Sequence, residues 1–184
     1  MSRTYAELPA LMTRMTGDEK HGPSATSTLD VLWVLYDKVL RVDSPLGYHP
    51  DRNLIPGVEI ASGSLGHGLP LAVGVALGLR ARGLTRPRVF VLVGDAELDE
   101  GSNNEAIVYA GAAGLPNLTA IAVDNQSATY GWGPGGIESH FAASGWSTVR
   151  VDGREHAELF AALSTGPGSS RAPRLVVAAV EAKW

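Results

Sequence analysis

The amino-acid sequence predicts an α/β protein, a doubly wound and mainly parallel sheet with helices on both faces. Two runs, Arg88-Val-Phe-Val-Leu-Val-Gly94 and Leu118-Thr-Ala-Ile-Ala-Val-Asp124, are short, continuously apolar and rich in β-branched residues, as strands covered on both faces are. Segments of helical spacing alternate with runs of this kind. The order strand, helix, strand, loop, strand, helix, strand builds a parallel sheet. A length of 184 residues suits one domain over residues 1–184, and 45% hydrophobic against 18% charged residues is ordinary for a packed globular core.

Tyr5 to Met15 is expected to form a short helix. Ser27 to Leu40 carries Leu29, Leu32, Val34, Leu35, Val39 and Leu40 at helical spacing, with candidate N-cap residues in Ser24 to Thr28. Arg41 to Pro56 is a polar, proline-punctuated connection. Gly63 to Leu79 reads as a helix opening on a glycine loop, its Ala72, Gly74, Ala76 and Gly78 suited to close packing. After the first strand, Asn103 to Ala113 is a helix with Ser102 as its expected cap. Gln126 to Gly136, after the second strand, is a glycine-rich loop. Trp146 to Val151 is a third strand, Glu155 to Leu163 a helix, and Leu175 to Val180 a fourth strand, with Gly166 to Pro173 a surface loop.

Composition narrows the function. Net charge is −4 with no block of like charge, so no electrostatic footprint for nucleic acid or an anionic membrane is present. No apolar run approaches the ~20 residues of a membrane span, and Met1 to Lys20 lacks a signal-peptide layout, so a cytoplasmic location is expected. The absence of cysteine excludes disulfides, thiolate metal sites and cysteine nucleophiles. Glycine, 22 residues, is concentrated between Gly57 and Gly136, which points to backbone in close contact with a ligand.

In parallel sheets ligands bind beyond the carboxyl ends of the strands. Gly94-Asp95 and Asp124-Asn125 both stand at such ends, so the two tips are expected to face one crevice. A carboxylate and an amide oxygen converging there make a hard, oxygen-only site suited to magnesium or calcium, not zinc. Taken singly, Asp95 reads equally well as a helix cap and Asn125 as a turn residue.

The spacing of the pair resembles the thiamine-diphosphate motif of the transketolase family, Gly-Asp-Gly followed nearly thirty residues later by Asn. Here it stands as Gly94-Asp95-Ala96, then Asp124-Asn125. The resemblance implies a thiamine-diphosphate-binding fold, thiamine diphosphate with Mg2+ (or Ca2+) as cofactors, and Asp95, Asn125 and the carbonyl of Ser127 as metal ligands. Ala96 departs from the motif's second glycine; a methyl is tolerated there if φ is negative, although it crowds backbone near the diphosphate. Ser62-Gly-Ser-Leu-Gly-His-Gly-Leu69 is similar to the family's Gly-Ser-Leu-Gly-Gln-Gly loop. By that likeness Gly63 and Gly94 approach the diphosphate with backbone, and Leu65 contacts the aminopyrimidine side. A helix N-terminus there offers N–H groups to phosphate. Tight helix packing is the plainer use of those glycines.

Glu97-Leu-Asp-Glu-Gly-Ser-Asn-Asn-Glu-Ala106 also resembles the family, and its Glu100 and Glu105 match glutamates of the dimer interface. They read equally as an acidic helix start. His21, in Lys20-His-Gly-Pro-Ser, aligns with a family histidine that assists proton transfer to sugar hydroxyls, a task suited to imidazole. His49, His140 and His156 have no such support.

The resemblance covers nearly the whole chain but only the N-terminal third of a full transketolase. It implies that the pyrimidine-binding domain, with the glutamate that activates the cofactor, sits on a separate subunit, two copies of each forming a heterotetramer. This chain alone is then inactive. The segment between the first helix and the glycine loop is shorter than in the family, which removes most of the histidines that bind sugar phosphates. The function expected is transfer of a two-carbon ketol unit from a small-molecule ketose or 2-oxoacid donor. Two other readings stand beside it: the alpha-type subunit of a 2-oxoacid dehydrogenase or decarboxylase, and a non-catalytic binding or scaffold protein that keeps the fold. A nicotinamide-binding domain is disfavoured, because no glycine-rich turn follows the first strand with an acidic residue at the expected distance.

Overall fold

The computed structural model describes residues 4–7, 22–40, 63–166 and 170–182. Four strands, β1 (Val89–Gly94), β2 (Leu118–Asp124), β3 (Ser147–Asp152) and β4 (Arg174–Ala179), form one sheet in the order β1-β2-β4-β3. Every neighbouring pair is parallel. Five α-helices are described: α1 (Gly22–Val34), α2 (Gly68–Ala81), α3 (Gly101–Ala113), α4 (Gly136–Ala143) and α5 (His156–Ser164).

The helices divide between the two faces, as the buried runs require. On one face α2, α3 and α4 cover Val91, Val93, Leu118, Ala120, Ala122, Leu175 and Val177. On the other, α1 and α5 cover Ile121, Val123, Val151, Val176 and Ala178. The alternation between these two sets along β2 and β4 is the two-residue period of a strand buried on both sides. Helix α2 buries Leu69, Ala72, Val73 and Ala76, and α3 buries Asn103, Ala106, Ile107 and Ala110, each at i, i+3, i+4, i+7.

Several boundaries differ from the sequence expectation for local reasons. The stretch Gly63–His67 is a loop and α2 begins only at Gly68. Helix α1 begins at Gly22, so Thr26 to Thr28 lie within it, and it ends in a π turn over Leu35–Val39. Around Tyr5 there is a 3-10 turn, Tyr5–Glu7; the rest of the expected helix and the whole Arg41 to Pro56 connection lie outside the described residues. A 3-10 turn, Ala96–Asp99, precedes α3, whose N-cap position is Glu100 without a side-chain bond; Ser102 is not the cap. Helix α4 is an addition: Ile137 and Phe141 bury one short face, and Phe141 meets Trp146 edge-on at 5.0 Å. The Trp146 indole N–H donates to Ile107 O at 2.9 Å, which draws this residue into the core and starts β3 one position later.

Candidate metal and diphosphate centre

Parallel pairing carries the tips of β1, β2 and β4 to one level. Asp95 N–H donates to Val123 O at 3.0 Å and Val180 N–H to Asp124 O at 3.0 Å, extending both ladders past the last strand residues. Asp95 and Asn125 are therefore side by side at the carboxyl edge, as expected of ligands in this fold.

Asp95 is buried, 1% exposed. Its Oδ1 accepts from Ala96 N–H at 2.8 Å and from the Ser127 hydroxyl at 2.7 Å. Its Oδ2 accepts from Ser127 N–H at 2.7 Å and Ala128 N–H at 3.3 Å. Asp95 thus caps the 3-10 turn and also gathers the loop that follows β2. Among the described residues Gln126 is the one non-glycine with positive φ, so Ala96 meets the condition under which its methyl is tolerated. Nothing comes within 4 Å of a Cβ placed on Gly94.

Asn125 is 6% exposed. Its Nδ2 donates to Ser27 Oγ on α1 at 3.2 Å, and its Oδ1 is buried without a hydrogen-bond partner. The left-handed Gln126, φ 57°, turns the chain so that Ser127 comes back over Asp95. Arg150 secures the loop from the other side: it bonds Asp124 Oδ2 at 2.9 Å and pairs with Glu138 at the start of α4. That pairing holds the Glu138 carboxyl below its ordinary range.

The Gly63–His67 loop is pinned by the segment after Asp95. Gly66 stands at φ +80°, its N–H donates to Glu97 Oε1 at 3.2 Å, and its carbonyl accepts from the Ser102 hydroxyl at 2.7 Å. Burial pushes the Glu97 carboxyl up, against the lowering effect of the Gly66 and Gly94 N–H groups. One N–H at the entrance to α2 is thus committed to Glu97. Leu65, at the loop's crest, is 61% exposed. Glu100 and Glu105 are exposed, and so is Gly63, the first residue of the loop. His21 lies outside the described residues.

Oxygen donors of this kind fit a magnesium-type ion, which takes one or two carboxylates and completes its shell with phosphate oxygens. Among the described residues no group of three or more His, Cys, Asp or Glu could hold a metal. What is available is one carboxylate, one amide oxygen and backbone. The unpartnered Asn125 Oδ1 is the acceptor such an ion needs. The Ser127 hydroxyl takes one Oδ1 position, which a change of rotamer would release, while three backbone N–H groups keep the Asp95 carboxylate oriented. The donor set fits.

The family profile described as "Transketolase, thiamine diphosphate binding domain" matches residues 35–180. The chain belongs to the transketolase family. Its relatives include Ferredoxin fas2 of Rhodococcoides fascians, 45% identical over 206 residues, covering 88% of this chain and 67% of that protein. One of the subunits of an apulose-4-phosphate transketolase from Actinobacillus succinogenes is 48% identical over 84 residues, 46% of this chain and 30% of that one. Among solved structures, transketolase from Campylobacter jejuni superposes with a TM-score of 0.60 at 29% identity, covering 67% of this chain and 21% of that one. The Pichia stipitis transketolase complex with sedoheptulose-7-phosphate gives 0.63 at 28% identity, covering 71% and 22%. The transketolase domain here therefore spans about a fifth of those enzymes.

Several residues of the site carry no signal in the sequence. Ser27, Glu97 and Ser102 reach the centre through contacts 98, 31 and 36 positions away. Asp30 is a further case: a buried aspartate on the apolar face of α1, bonded to Arg154 Nη1 at 2.6 Å and His156 Nε2 at 2.8 Å. A charged residue on an apolar helical stripe is the signal that could have found it; His156 has none of its own.

Proposed function

We propose that this transketolase domain binds thiamine diphosphate and Mg2+ (or Ca2+) jointly with a second chain that carries the pyrimidine-binding domain, and that the pair transfers a two-carbon ketol unit. The observation that carries the reading is the pair of strand tips, Asp95 held by three backbone N–H groups and Asn125 with a buried, unpartnered Oδ1. Asp95, Asn125 and the Ser127 carbonyl are assigned as metal ligands, with Gly63, Leu65, Gly94 and Ala96 against the cofactor and His21 near substrate. Thiamine diphosphate, when bound, supplies the nucleophilic carbon and electron sink for the two-carbon unit. The chain's part is to fix the diphosphate end: backbone from the Gly63–His67 loop and the β1 tip approaches it, and the Ser27–Asn125 contact closes the site from α1.

Two observations support a second chain. Leu71 and Val75 on α2 and Val108 and Tyr109 on α3 are large apolar side chains left 48 to 60% exposed on two helices that pack together. The relative in Actinobacillus succinogenes is itself named as one subunit of its enzyme. The cytoplasm is the expected compartment, and no helix among the described residues is long and apolar enough to cross a membrane. The test is ketol transfer by the chain with and without its pyrimidine-binding partner. Activity of the chain alone overturns the split arrangement.

A second reading is favoured by the name Ferredoxin fas2, since a ferredoxin carries electrons and oxidation of a 2-oxoacid on thiamine diphosphate releases them. With no cysteine, this chain offers no thiolate for an iron–sulfur cluster, so that centre would sit outside it. Decarboxylation of a 2-oxoacid with reduction of an added electron acceptor, and no ketol transfer, reverses the preference.

A further inference from the structure

We propose that Ser27 is a positioning residue for the metal site: it holds the Asn125 amide by its Nδ2 end and so fixes where Oδ1 is presented to the ion. This role rests on the cofactor reading given above. A cation takes the oxygen end of an asparagine side chain, so the amide needs a partner on its N–H end to fix its plane and reach. Here Asn125 Nδ2 donates to Ser27 Oγ at 3.2 Å in a buried contact, which leaves Oδ1 as the end without a partner. Both residues are 6% exposed, so water is a poor substitute for either.

A positioning contact is useful only if its base is rigid, and α1 is anchored one turn beyond Ser27. Asp30, at i+3, is 2% exposed and receives hydrogen bonds from Arg154, His156 and Tyr5. Arg154 also donates to Thr26 O at 3.1 Å and pairs with Glu181 at 2.6 Å. The Tyr5 ring packs edge-on against His156 at 4.6 Å. Groups from the β3–α5 turn and from the chain after β4 therefore hold the helix that carries Ser27, and they do so at the same carboxyl edge of the sheet as Asn125. Partners behind a metal ligand that set its orientation commonly govern affinity almost as strongly as the ligand itself.

The test titrates Mg2+ and Ca2+ into the full chain with its pyrimidine-binding partner and saturating thiamine diphosphate, followed by calorimetry. Magnesium demands near-ideal octahedral geometry whereas calcium accepts irregular shells, so a loosened amide should penalise magnesium selectively. Ser27→Ala is expected to weaken Mg2+ by about tenfold. It should change Ca2+ much less, and Ser27→Thr, which keeps the hydroxyl, should restore Mg2+. Equal losses for both ions, or none, overturn the inference, since a general loss of structure would not choose between ions. A second measurement needs no variant: the Asn125 side-chain N–H protons in the wild-type chain should exchange slowly with solvent by NMR, and fast exchange also overturns it. A wild-type complex that takes up neither ion rejects the cofactor reading itself; a wild-type complex that binds, with variants that match it, rejects only the role of Ser27.

Discussion

Gly66→Ala should be among the most damaging single-methyl additions in the chain, because three costs meet at one atom. At φ +80° an L residue sits in the left-handed region, which costs about 1–2 kcal/mol. The new Cβ would lie 2.6 Å from Ser102 Oγ and 2.7 Å from Glu100 Cβ. The hydroxyl can swing away, but doing so gives up its bond to the Gly66 carbonyl, worth about 1 kcal/mol. Glu100 Cβ is fixed to backbone and cannot move alone, so the loop must shift and stretch the Gly66 N–H bond to Glu97. The reduced freedom of the unfolded chain returns roughly 0.5 kcal/mol. The net destabilisation is about 2–3 kcal/mol. Urea unfolding of the chain measures it, with Gly74→Ala as the control. No atom lies within 4 Å of a Cβ at Gly74, so there alanine should stabilise α2 by roughly 0.5–1 kcal/mol. Adding Ser102→Ala to Gly66→Ala should recover part of the loss. A Gly66→Ala chain as stable as wild type would refute the claim that the glycine loop is locked onto the segment after Asp95.

Two further outcomes follow from the same geometry. Gly111→Ala on α3 should destabilise despite alanine's better helix propensity, because its Cβ would run into the Ser144 carbonyl oxygen; a rise in melting temperature would show that α3 and the turn after α4 are not in contact. Asp30→Asn should lower stability at neutral pH by roughly 3 kcal/mol, the scale for breaking a buried ion pair, and should also flatten the acid limb of a melting-temperature profile. Burial pushes the Asp30 carboxyl up, but bonds from Tyr5, Arg154 and His156 outweigh it and hold the group below its ordinary range. A depressed carboxylate stabilises fully above its unfolded value of about 3.9 and loses that contribution as pH falls through the folded value. Identical pH profiles for the variant and wild type would contradict this.

What was legible in the sequence was the part set by local pattern. The apolar runs at Val89–Gly94 and Leu118–Asp124 announced strands covered twice, and the residues just past them are the strand tips of the candidate site. Helix α4 was hidden because Gly-Trp-Gly-Pro-Gly-Gly before it reads as loop, and its buried face is only Ile137 and Phe141. Ser102 has the position of a cap, yet its hydroxyl is taken by Gly66 across the fold. Ser27 reads as a helix start, and nothing local in the sequence gives Asp30 a partner; only the packing of α1 on the sheet supplies Asn125, Arg154 and His156. The residues that hold the site in place were the ones pattern could not supply, since each acts through a contact between segments far apart in the chain.

The central claim is that Asp95 and Asn125 hold the diphosphate end of the cofactor through a metal and need a second chain to complete the site. Calorimetric titration of thiamine diphosphate into the chain together with its pyrimidine-binding partner, with and without Mg2+, addresses it most directly. Binding should require the metal, and Asp95→Asn, which removes the carboxylate while keeping the side chain's shape, should weaken it by at least about 100-fold, the upper range seen even for residues behind the ligands. Metal-independent binding, or an Asp95→Asn complex that binds as wild type does, would contradict it.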